Sequence, residues 1–179
     1  MTTRASDAYA EYVGARLPSL RRTAYLLCGD WHTADDLAQA ALVKLYLSWP
    51  RVERADALDP YVRRIMVRLW LDQVRSSRWR REHLVADAPD DLTSAAAGGD
   101  DAQVLRVALD RLAPRQRAVL VLRYWEDLDV RETAAALGVG EGTVKSQTSK
   151  ALDAMRSRLH DMGVSGVGLI DALNEGERG

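Results

Sequence analysis

Apolar residues recur every three or four positions at the start of the chain, which is the spacing of one face of an α-helix. They predict a helix over residues 6–28, interrupted or restarted at Pro18, because proline fits only the first turn of a helix. Gly29 and Asp30 end this helix. The stripe consists of Tyr9, Val13, Leu17, Leu20, Ala24 and Leu27.

A second helix is predicted after Thr33, a good N-cap residue, and Pro50 is expected to end it. Its apolar stripe repeats every four residues, at Leu37, Ala41, Leu45 and Trp49. Off this stripe lie Asp35, Asp36, Gln39 and Lys44. They form either a solvated face or a partner surface, and periodicity does not choose between the two.

A polar loop over residues 50–59 precedes the third helix, in which Asp59 is the predicted N-cap and Pro60 the first residue. This helix reads PYVRRIMVRLWLDQVRSSRWRRE, and its expected apolar side consists of Tyr61, Ile65 and Leu69, with Trp70 as a further candidate. Arg64, Arg68, Arg75 and Arg78 are spaced so that they share one face.

The third helix is strongly positive, although the net charge of the whole chain is close to zero. Net charge is −1 overall, yet residues 61–82 hold seven arginines and two acids, a local charge of +5. Trp70 and Trp79 are interleaved with the arginines, a combination that suits single-stranded DNA, where cations track phosphates and aromatic rings stack on bases. The alternative is a basic solvated helix with tryptophans in the core.

Residues 82–102 contain six acidic residues, no lysine or arginine, and the helix breakers Pro89, Gly98 and Gly99. This composition predicts a flexible acidic linker between two small helical domains. The first domain is expected over residues 6–81 and the second over 103–160, followed by a weakly ordered tail at 161–179. The fold class is all-α.

The second domain is predicted to contain four helices. Two fall within residues 103–125: Leu105, Leu109 and Leu112 mark the first, and Pro114 opens the second, which carries Val119, Leu120 and Leu122.

The other two helices form a predicted helix-turn-helix over residues 129–159. Asp129 and Glu132 have capping-box spacing, and Gly138 ends the first short helix. Ala134 is small enough for the helices to cross closely, and Val144 fills the angle between them. The second helix, beginning near Glu141 or Gly142, would enter the major groove of DNA. An ordinary helical hairpin is the alternative for this motif taken alone. The candidate base-contacting residues are Thr143, Lys145, Ser146, Gln147, Ser149 and Lys150.

Catalytic and cofactor chemistry is not indicated. The sequence has no glycine-rich phosphate loop, nucleophile elbow or paired-histidine site, so no enzyme activity, cofactor or metal is predicted. Cys28 is the single cysteine and is expected to be a small buried residue. No segment approaches a membrane span and no signal peptide is recognisable, so a cytoplasmic location is expected.

The order of these parts resembles a bacterial sigma-70-type RNA polymerase sigma factor of the extracytoplasmic-function class. Three segments carry the resemblance: residues 20–49 and 59–82 look like the two halves of region 2, and residues 108–159 look like region 4. The most specific pieces are ADDLAQ, LAPRQRAVLVLRY and GVGEGTVKSQTSKAL.

The resemblance implies binding roles and promoter-specific transcription initiation. Asp35, Asp36, Leu37, Gln39 and Lys44 would contact the clamp helices of the polymerase β′ subunit, and the helices at 103–125 would sit near the β flap. The acidic linker would thread toward the polymerase active-site cleft. Region 4 would read the −35 promoter element and region 2 would recognise and open the −10 element. An anti-sigma factor is a further implied partner. The expected −10 residues are Arg63, Arg64, Arg68, Trp70, Arg75 and Arg78.

Arg68 departs from the family, which often has asparagine at this position, so −10 specificity cannot be carried over there. Two other functions are consistent with the residues alone. One is a stand-alone helix-turn-helix regulator that binds an operator as a dimer. The other is an adaptor whose basic helix contacts RNA.

Overall fold

The computed structural model describes residues 3–52, 58–83 and 100–163. The chain divides into two compact units, Met1–Ala95 and Ala96–Gly179. Within the described residues every regular element is helical, which confirms the all-α fold class with two helical domains.

Three long helices form the first unit. They are α1 (Thr3–Cys28), α2 (Trp31–Val52) and α3 (Leu58–His83), and each packs against the other two. Leu27, Leu45, Trp49 and Met66 are among the largest fully buried side chains of this core. The apolar stripe predicted for the second helix is buried throughout: Leu37, Ala41, Leu45 and Trp49.

The predicted interruption at Pro18 and the predicted helix end at Pro50 are both wrong. Pro18 lies inside a continuous α1, where the buried Leu20, Ala24 and Leu27 that follow it hold the helix against α2. Pro50 likewise lies inside the last turn of α2 and does not end it. Packing of a long apolar face therefore outweighs the loss of one backbone hydrogen bond at each proline.

The N-cap of α2 is Asp30 and not Thr33. The Asp30 Oδ1 atom accepts a hydrogen bond of 2.8 Å from the Thr33 backbone N–H. Thr33 is therefore the third helical residue, and the aspartate ahead of it provides the capping oxygen.

The buried face of α3 is rotated from the predicted one. Val62, Met66, Val67 and Trp70 are buried, whereas the predicted Tyr61, Ile65 and Leu69 are only half-buried. Apolar residues surround the first half of this helix, so the sequence alone does not define one stripe. Contact with α1 and α2 selects the side that becomes the core.

The second unit contains α4 (Asp100–Asp110), α5 (Pro114–Leu120), a π-helical turn (Val121–Trp125), α6 (Val130–Leu137) and α7 (Glu141–Asp161). Helices α4, α5 and α6 all pack against α7. Pro114 opens α5 as predicted, and Val119, Leu120 and Leu122 are buried. Leu109 and Leu112 are also buried, whereas Leu105 is half-buried.

The π-helical turn leads into a short loop before α6. The Glu126 N–H donates to the Val121 carbonyl at 3.0 Å, five residues back. Asp127 adopts a positive φ of 52°, and Arg123 Nη1 donates to the Leu128 carbonyl at 3.0 Å. Trp125, the last residue of the turn, is 51% exposed.

An ion-pair group joins α4 to α5. Arg117 Nη2 lies 2.7 Å from Asp110 Oδ1, and Arg106 Nη1 lies 2.9 Å from Asp110 Oδ2. Arg117 is only 6% exposed, so its charge is balanced inside the unit.

Several predictions fall outside the described residues. They concern most of the loop at 50–59, most of the acidic linker at 82–102, and the tail beyond Gly163. The side chains of Arg78 and Trp79 are also outside the described part.

Candidate nucleic-acid interface

Local signals place the helix-turn-helix where the sequence predicts it. Asp129 Oδ1 accepts from the Glu132 N–H at 2.7 Å, and Glu132 Oε2 accepts from the Asp129 N–H at 2.9 Å. This reciprocal pair is a capping box, and it fixes the start of α6. Gly138 ends α6 in the left-handed region, with φ 68° and ψ 39°, which glycine adopts without a Cβ penalty.

A small apolar cluster sets the angle between α6 and α7. Val144 is fully buried and Ala134 is 6% exposed, and both pack with Val119 of α5. Val130, Leu137 and Val139 pack around them. The predicted inward positions of Ala134 and Val144 are therefore confirmed.

The predicted base-contacting residues lie at the N-terminal end of α7, and all but one are exposed. Thr143, Ser146 and Lys150 are three or four residues apart and share one outward face. Lys145 and Ser149 are exposed beside it, and Gln147 is half-buried. Ser146 Oγ donates to the Thr143 carbonyl at 3.1 Å, so this hydroxyl already has a local partner.

Arg131 is a further candidate, outside the set of base-contacting residues predicted from the sequence. It is exposed in the first turn of α6, where the helix dipole disfavours a cation. In a helix-turn-helix the first helix crosses the DNA backbone, so an exposed arginine here can meet a phosphate. The signal in the sequence was an arginine two residues after the N-cap.

In the first unit, α3 presents a second cationic face. Arg64, Arg68 and Arg75 share the side opposite the buried Val62, Met66 and Trp70, as their spacing predicts. Tyr61 lies on the same side, with the Arg64 guanidinium 5.6 Å from its ring centroid. Arg68 and Arg75 are exposed, and Arg64 is half-buried.

Two predicted −10 residues are not on that face. Trp70 is only 5% exposed and belongs to the core, which corrects its placement as a base-stacking residue. Arg63 is half-buried on the opposite flank, close enough to Tyr12 to act on its pKa. The aromatic ring among the exposed arginines is Tyr61, which the apolar-stripe prediction had assigned to the core.

A polar cluster ties α1 to the start of α3. Tyr12 Oη donates to Asp59 Oδ1 at 2.8 Å, and Arg16 Nη2 lies 2.7 Å from Asp59 Oδ2. Burial and the hydrogen bond to Asp59 raise the pKa of Tyr12, so the phenol stays protonated as a donor at neutral pH. The cluster fixes the first turn of the cationic helix.

Helix α2 carries an exposed strip that the predicted partner set only partly includes. Asp36, Gln39, Val43, Tyr46 and Leu47 fall within a sector about 100° wide at the helical 100° per residue, opposite the buried Leu45 and Trp49. Val43, Tyr46 and Leu47 are 58%, 44% and 69% exposed. We call these five residues the α2 strip.

The rest of the predicted partner set lies off the strip. Leu37 is 3% exposed and belongs to the core, which corrects its placement as a partner contact. Asp35 is bound to Arg21 of α1. Lys44 is exposed on the other flank of α2. The predicted partner set does not contain the apolar members Val43, Tyr46 and Leu47. Because they do not belong to the apolar stripe that repeats every four residues, their spacing indicated that they face outward.

Across residues 3–52, 58–83 and 100–163, no helix has the length and apolar content needed to cross a membrane. The same residues contain no cluster of three histidine, cysteine or acidic side chains arranged to hold a metal ion.

Known proteins resemble the chain over both units. The family profile described as "Sigma-70 region 2" matches residues 12–80, and the one described as "Sigma-70, region 4" matches residues 102–155. The RNA polymerase sigma-E factor of Streptomyces coelicolor is 39% identical over 159 residues, covering 84% of this chain and 85% of that protein. The ECF RNA polymerase sigma factor SigW of Bacillus subtilis is 24% identical, covering 87% of this chain and 91% of SigW.

Solved structures show the same similarity. The sigma factor RpoE of Bartonella quintana, crystallised with the anti-sigma factor NepR, matches with a TM-score of 0.71 and 25% identity. That match covers 85% of this chain and 96% of RpoE. CnrH, solved in complex with the cytosolic domain of CnrY, shares the fold with a TM-score of 0.62 and 17% identity, over 88% of this chain and 95% of CnrH.

Proposed function

This chain belongs to the extracytoplasmic-function class of the sigma-70 family, and we propose that its α2 strip binds core RNA polymerase while α3 and α7 bind promoter DNA. As a sigma factor it directs promoter-specific transcription initiation. A stand-alone helix-turn-helix regulator does not account for the region 2 match over residues 12–80.

The observation that carries the proposal is the pairing of the α3 face with the helix-turn-helix. One unit offers the exposed Arg68 and Arg75 on the same side as Tyr61, a combination that suits unpaired strands. The other offers a recognition helix with exposed polar residues, which suits the major groove. A protein that both locates duplex DNA and holds an opened strand needs both kinds of surface.

At the −35 element, α7 lies in the major groove with Thr143, Ser146 and Lys150 toward the bases. Lys145, Gln147 and Ser149 flank this face and reach bases or the adjacent backbone. Arg131 contacts a phosphate and fixes the register of the helix-turn-helix. The support is that all of these residues except the half-buried Gln147 are exposed around a buried Val144.

At the −10 element, the cationic face of α3 holds the strand as the duplex opens. Arg64 and Arg75 contact phosphates, and Tyr61 offers its ring to an unstacked base. Such stacking contributes about 1–3 kcal/mol per base. Arg78 belongs to the same set by its spacing in the sequence, and its side chain lies outside the part of the chain that the structure describes. Arg63, with Tyr12 and Asp59 on the other flank, positions the helix without touching DNA.

The α2 strip is the proposed contact with the clamp helices of the polymerase β′ subunit, and the helices at the start of the second unit lie near the β flap. Val43, Tyr46 and Leu47 provide apolar contact area, and Asp36 and Gln39 provide polar contacts at one end of the strip. Leu37 is in the core and Asp35 is held by Arg21, so neither takes part in this contact.

The α3 face and the helix-turn-helix each contact only a short DNA element, so we expect strong promoter binding only when the polymerase holds both units. When both units are held on one enzyme, binding of the first element raises the effective concentration of the second surface at its own element. An anti-sigma factor that covered the α2 strip would prevent this by blocking the polymerase. RpoE of Bartonella quintana provides a structural parallel, since it was crystallised with an anti-sigma factor.

The protein acts by binding and not by catalysis, in the cytoplasm where the polymerase is found. The test is to mix the purified chain with core polymerase, then measure co-elution and initiation at promoters carrying both elements. We expect a stable complex that starts transcription at one site. A chain that bound an operator tightly without polymerase, and gave no specific initiation with it, would contradict the proposal.

A further inference from the structure

The exposed face of α3 holds three arginines whose surroundings differ. The Arg64 guanidinium lies 5.6 Å from the Tyr61 ring centroid, an interaction that occupies one face of its plane. Arg75 Nη2 lies 3.6 Å from Asp72 Oδ1, one turn away. Both of these cations therefore have a neighbour on their own helix.

Arg68 lies between them and is exposed. Among the described residues its guanidinium has no hydrogen bond, ion pair or aromatic contact. Asp72 is four residues further on, at the spacing of a helical ion pair, but it faces Arg75. All the N–H groups of the Arg68 fork are therefore available to an external acceptor.

A guanidinium fork has a specific preference among bases. It donates two parallel N–H bonds, and guanine offers two adjacent acceptors, O6 and N7, on its major-groove edge, where both can still accept while the base is paired. Adenine has N7 beside an N6 donor, so only one of the two bonds can form. Unpaired cytosine also has two adjacent acceptors, but pairing conceals them. Only the guanine contact is available both before and after the duplex opens.

We infer that Arg68 reads a guanine in the non-template strand of the −10 element, with Tyr61 and Arg64 holding the neighbouring base and phosphate. This inference rests on the proposed function, because it requires α3 to hold the −10 strand. It adds a sequence preference to a face that otherwise contacts DNA by charge and stacking. The guanine contact forms on the duplex and persists as the strand separates.

The experiment uses the holoenzyme and a promoter library in which the −10 element is randomised, with transcripts counted by sequencing. The wild-type protein should enrich guanine at one position by about 5- to 150-fold, the range given by one good bidentate contact. Arg68→Gln should shift the preference at that same position to adenine, because a glutamine amide matches the N6 and N7 pair of adenine. The ratio between bases in one pool does not depend on the fraction of folded protein.

Arg75→Gln is the matched control. Loss of a phosphate contact should weaken initiation across all −10 sequences and leave the base preference unchanged. If Arg68→Gln behaves in this uniform way, Arg68 contacts a phosphate and the inference is wrong. Arg68→Lys should retain part of the guanine enrichment, since lysine keeps the charge but loses the fork.

A second arm repeats the library on templates with a pre-opened −10 bubble. Guanine should be enriched on both the duplex and the bubble. Equal enrichment of cytosine on the bubble, or enrichment of guanine on the duplex alone, would overturn the inference. Absence of any specific initiation by the wild-type holoenzyme would instead count against the proposed function itself, and the inference would fall with it.

Discussion

Arg21 and Asp35 form a two-pronged ion pair that joins α1 to α2. Arg21 Nε donates to Asp35 Oδ1 at 2.5 Å, and Arg21 Nη2 donates to Asp35 Oδ2 at 2.9 Å. The same guanidinium lies 5.7 Å from the centroid of the Trp31 ring, which stacks on Tyr25. The Asp35 carboxylate is thus bound to a residue of its own unit, whereas the adjacent Asp36 is exposed and belongs to the α2 strip.

The first prediction concerns the pH dependence of this pair. The hydrogen bond from Arg21 lowers the pKa of Asp35 below its ordinary value of 3.8. A carboxyl whose pKa is lower in the folded than in the unfolded state stabilises the fold fully at any pH above its unfolded-state pKa. This stabilisation is lost as the pH falls through the folded-state pKa. Asp35→Asn should therefore lower the urea midpoint at pH 7, and the difference from wild type should shrink progressively as the pH falls below 3.8.

Asp36→Asn is the control for that experiment. Its carboxylate is 3.8 Å from His32 Nε2, and both side chains are strongly exposed, so little stability depends on it. A loss of stability in Asp35→Asn that stayed constant as the pH fell from 7 to well below 3.8 would show that the charge of Asp35 is not its cause.

The second prediction separates the α2 strip from the rest of α2. Leu47→Asp should weaken binding to core polymerase by at least about tenfold, or roughly 1.4 kcal/mol, because it puts a charge into an apolar contact. Lys44→Ala, on the other flank, should change the affinity much less. Fluorescence anisotropy with labelled protein measures both. Equal losses in the two variants would contradict the location of the strip.

The third prediction compares a buried and an exposed arginine in the second unit. Arg117→Ala removes the buried cation that pairs with Asp110. It should lower the unfolding free energy by about 3 kcal/mol. Arg156→Ala removes an exposed pair with Asp153 at the same 2.7 Å separation and should cost less than about 1 kcal/mol. Hydrogen exchange of α5 and α7 amides measures the loss of unfolding free energy in both variants. Similar losses would contradict the expectation that the buried ion pair contributes more than the exposed one.

The fourth prediction tests α7. Lys145→Ala should reduce the preference for promoters with an intact −35 element by about tenfold, with α7 still folded because Lys145 is exposed. Transcription from paired templates with and without that element measures the preference. Selectivity equal to that of the wild type would exclude Lys145 from contact with the −35 bases.

The fifth prediction tests α3. Arg64→Glu should impair promoter opening by about tenfold or more and affect duplex binding less, because it places a negative charge beside the strand that must be held. Permanganate reactivity of −10 thymines measures opening, and a gel shift of the holoenzyme measures binding. Normal reactivity in the variant would count against the role of this face.

Local chemistry made the helix-turn-helix predictable. Asp129, Glu132 and Gly138 act through hydrogen bonds and backbone geometry within a few residues, so their effect can be inferred from spacing alone. The inward positions of Ala134 and Val144 could then be predicted as well. Once the ends of both helices are fixed, only one face of each helix can pack against the other. The exposed arginine face of α3 was predictable for the same reason of spacing.

Features that depend on distant contacts were harder to predict. Trp70 sits among arginines in the sequence, but contact with α1 and α2 turns it inward and leaves Tyr61 outside. Leu37 is next to exposed acidic residues and is nevertheless core. The ion pair of Asp35 with Arg21 connects residues on two helices, and no pattern within either helix shows it.

The π-helical turn at Val121–Trp125 has a consequence for the direction of the side chain at its end. In an uninterrupted α-helix Trp125 would follow the buried Leu122 by three positions and would point toward the same side. A turn closed five residues back holds one residue more than an α-turn, so every later side chain slips out of phase with the stripe before it. Trp125 therefore lies about where residue 124 of an uninterrupted helix would lie, two positions or about 200° from the buried Leu122, and on that side of the helix its ring is 51% exposed.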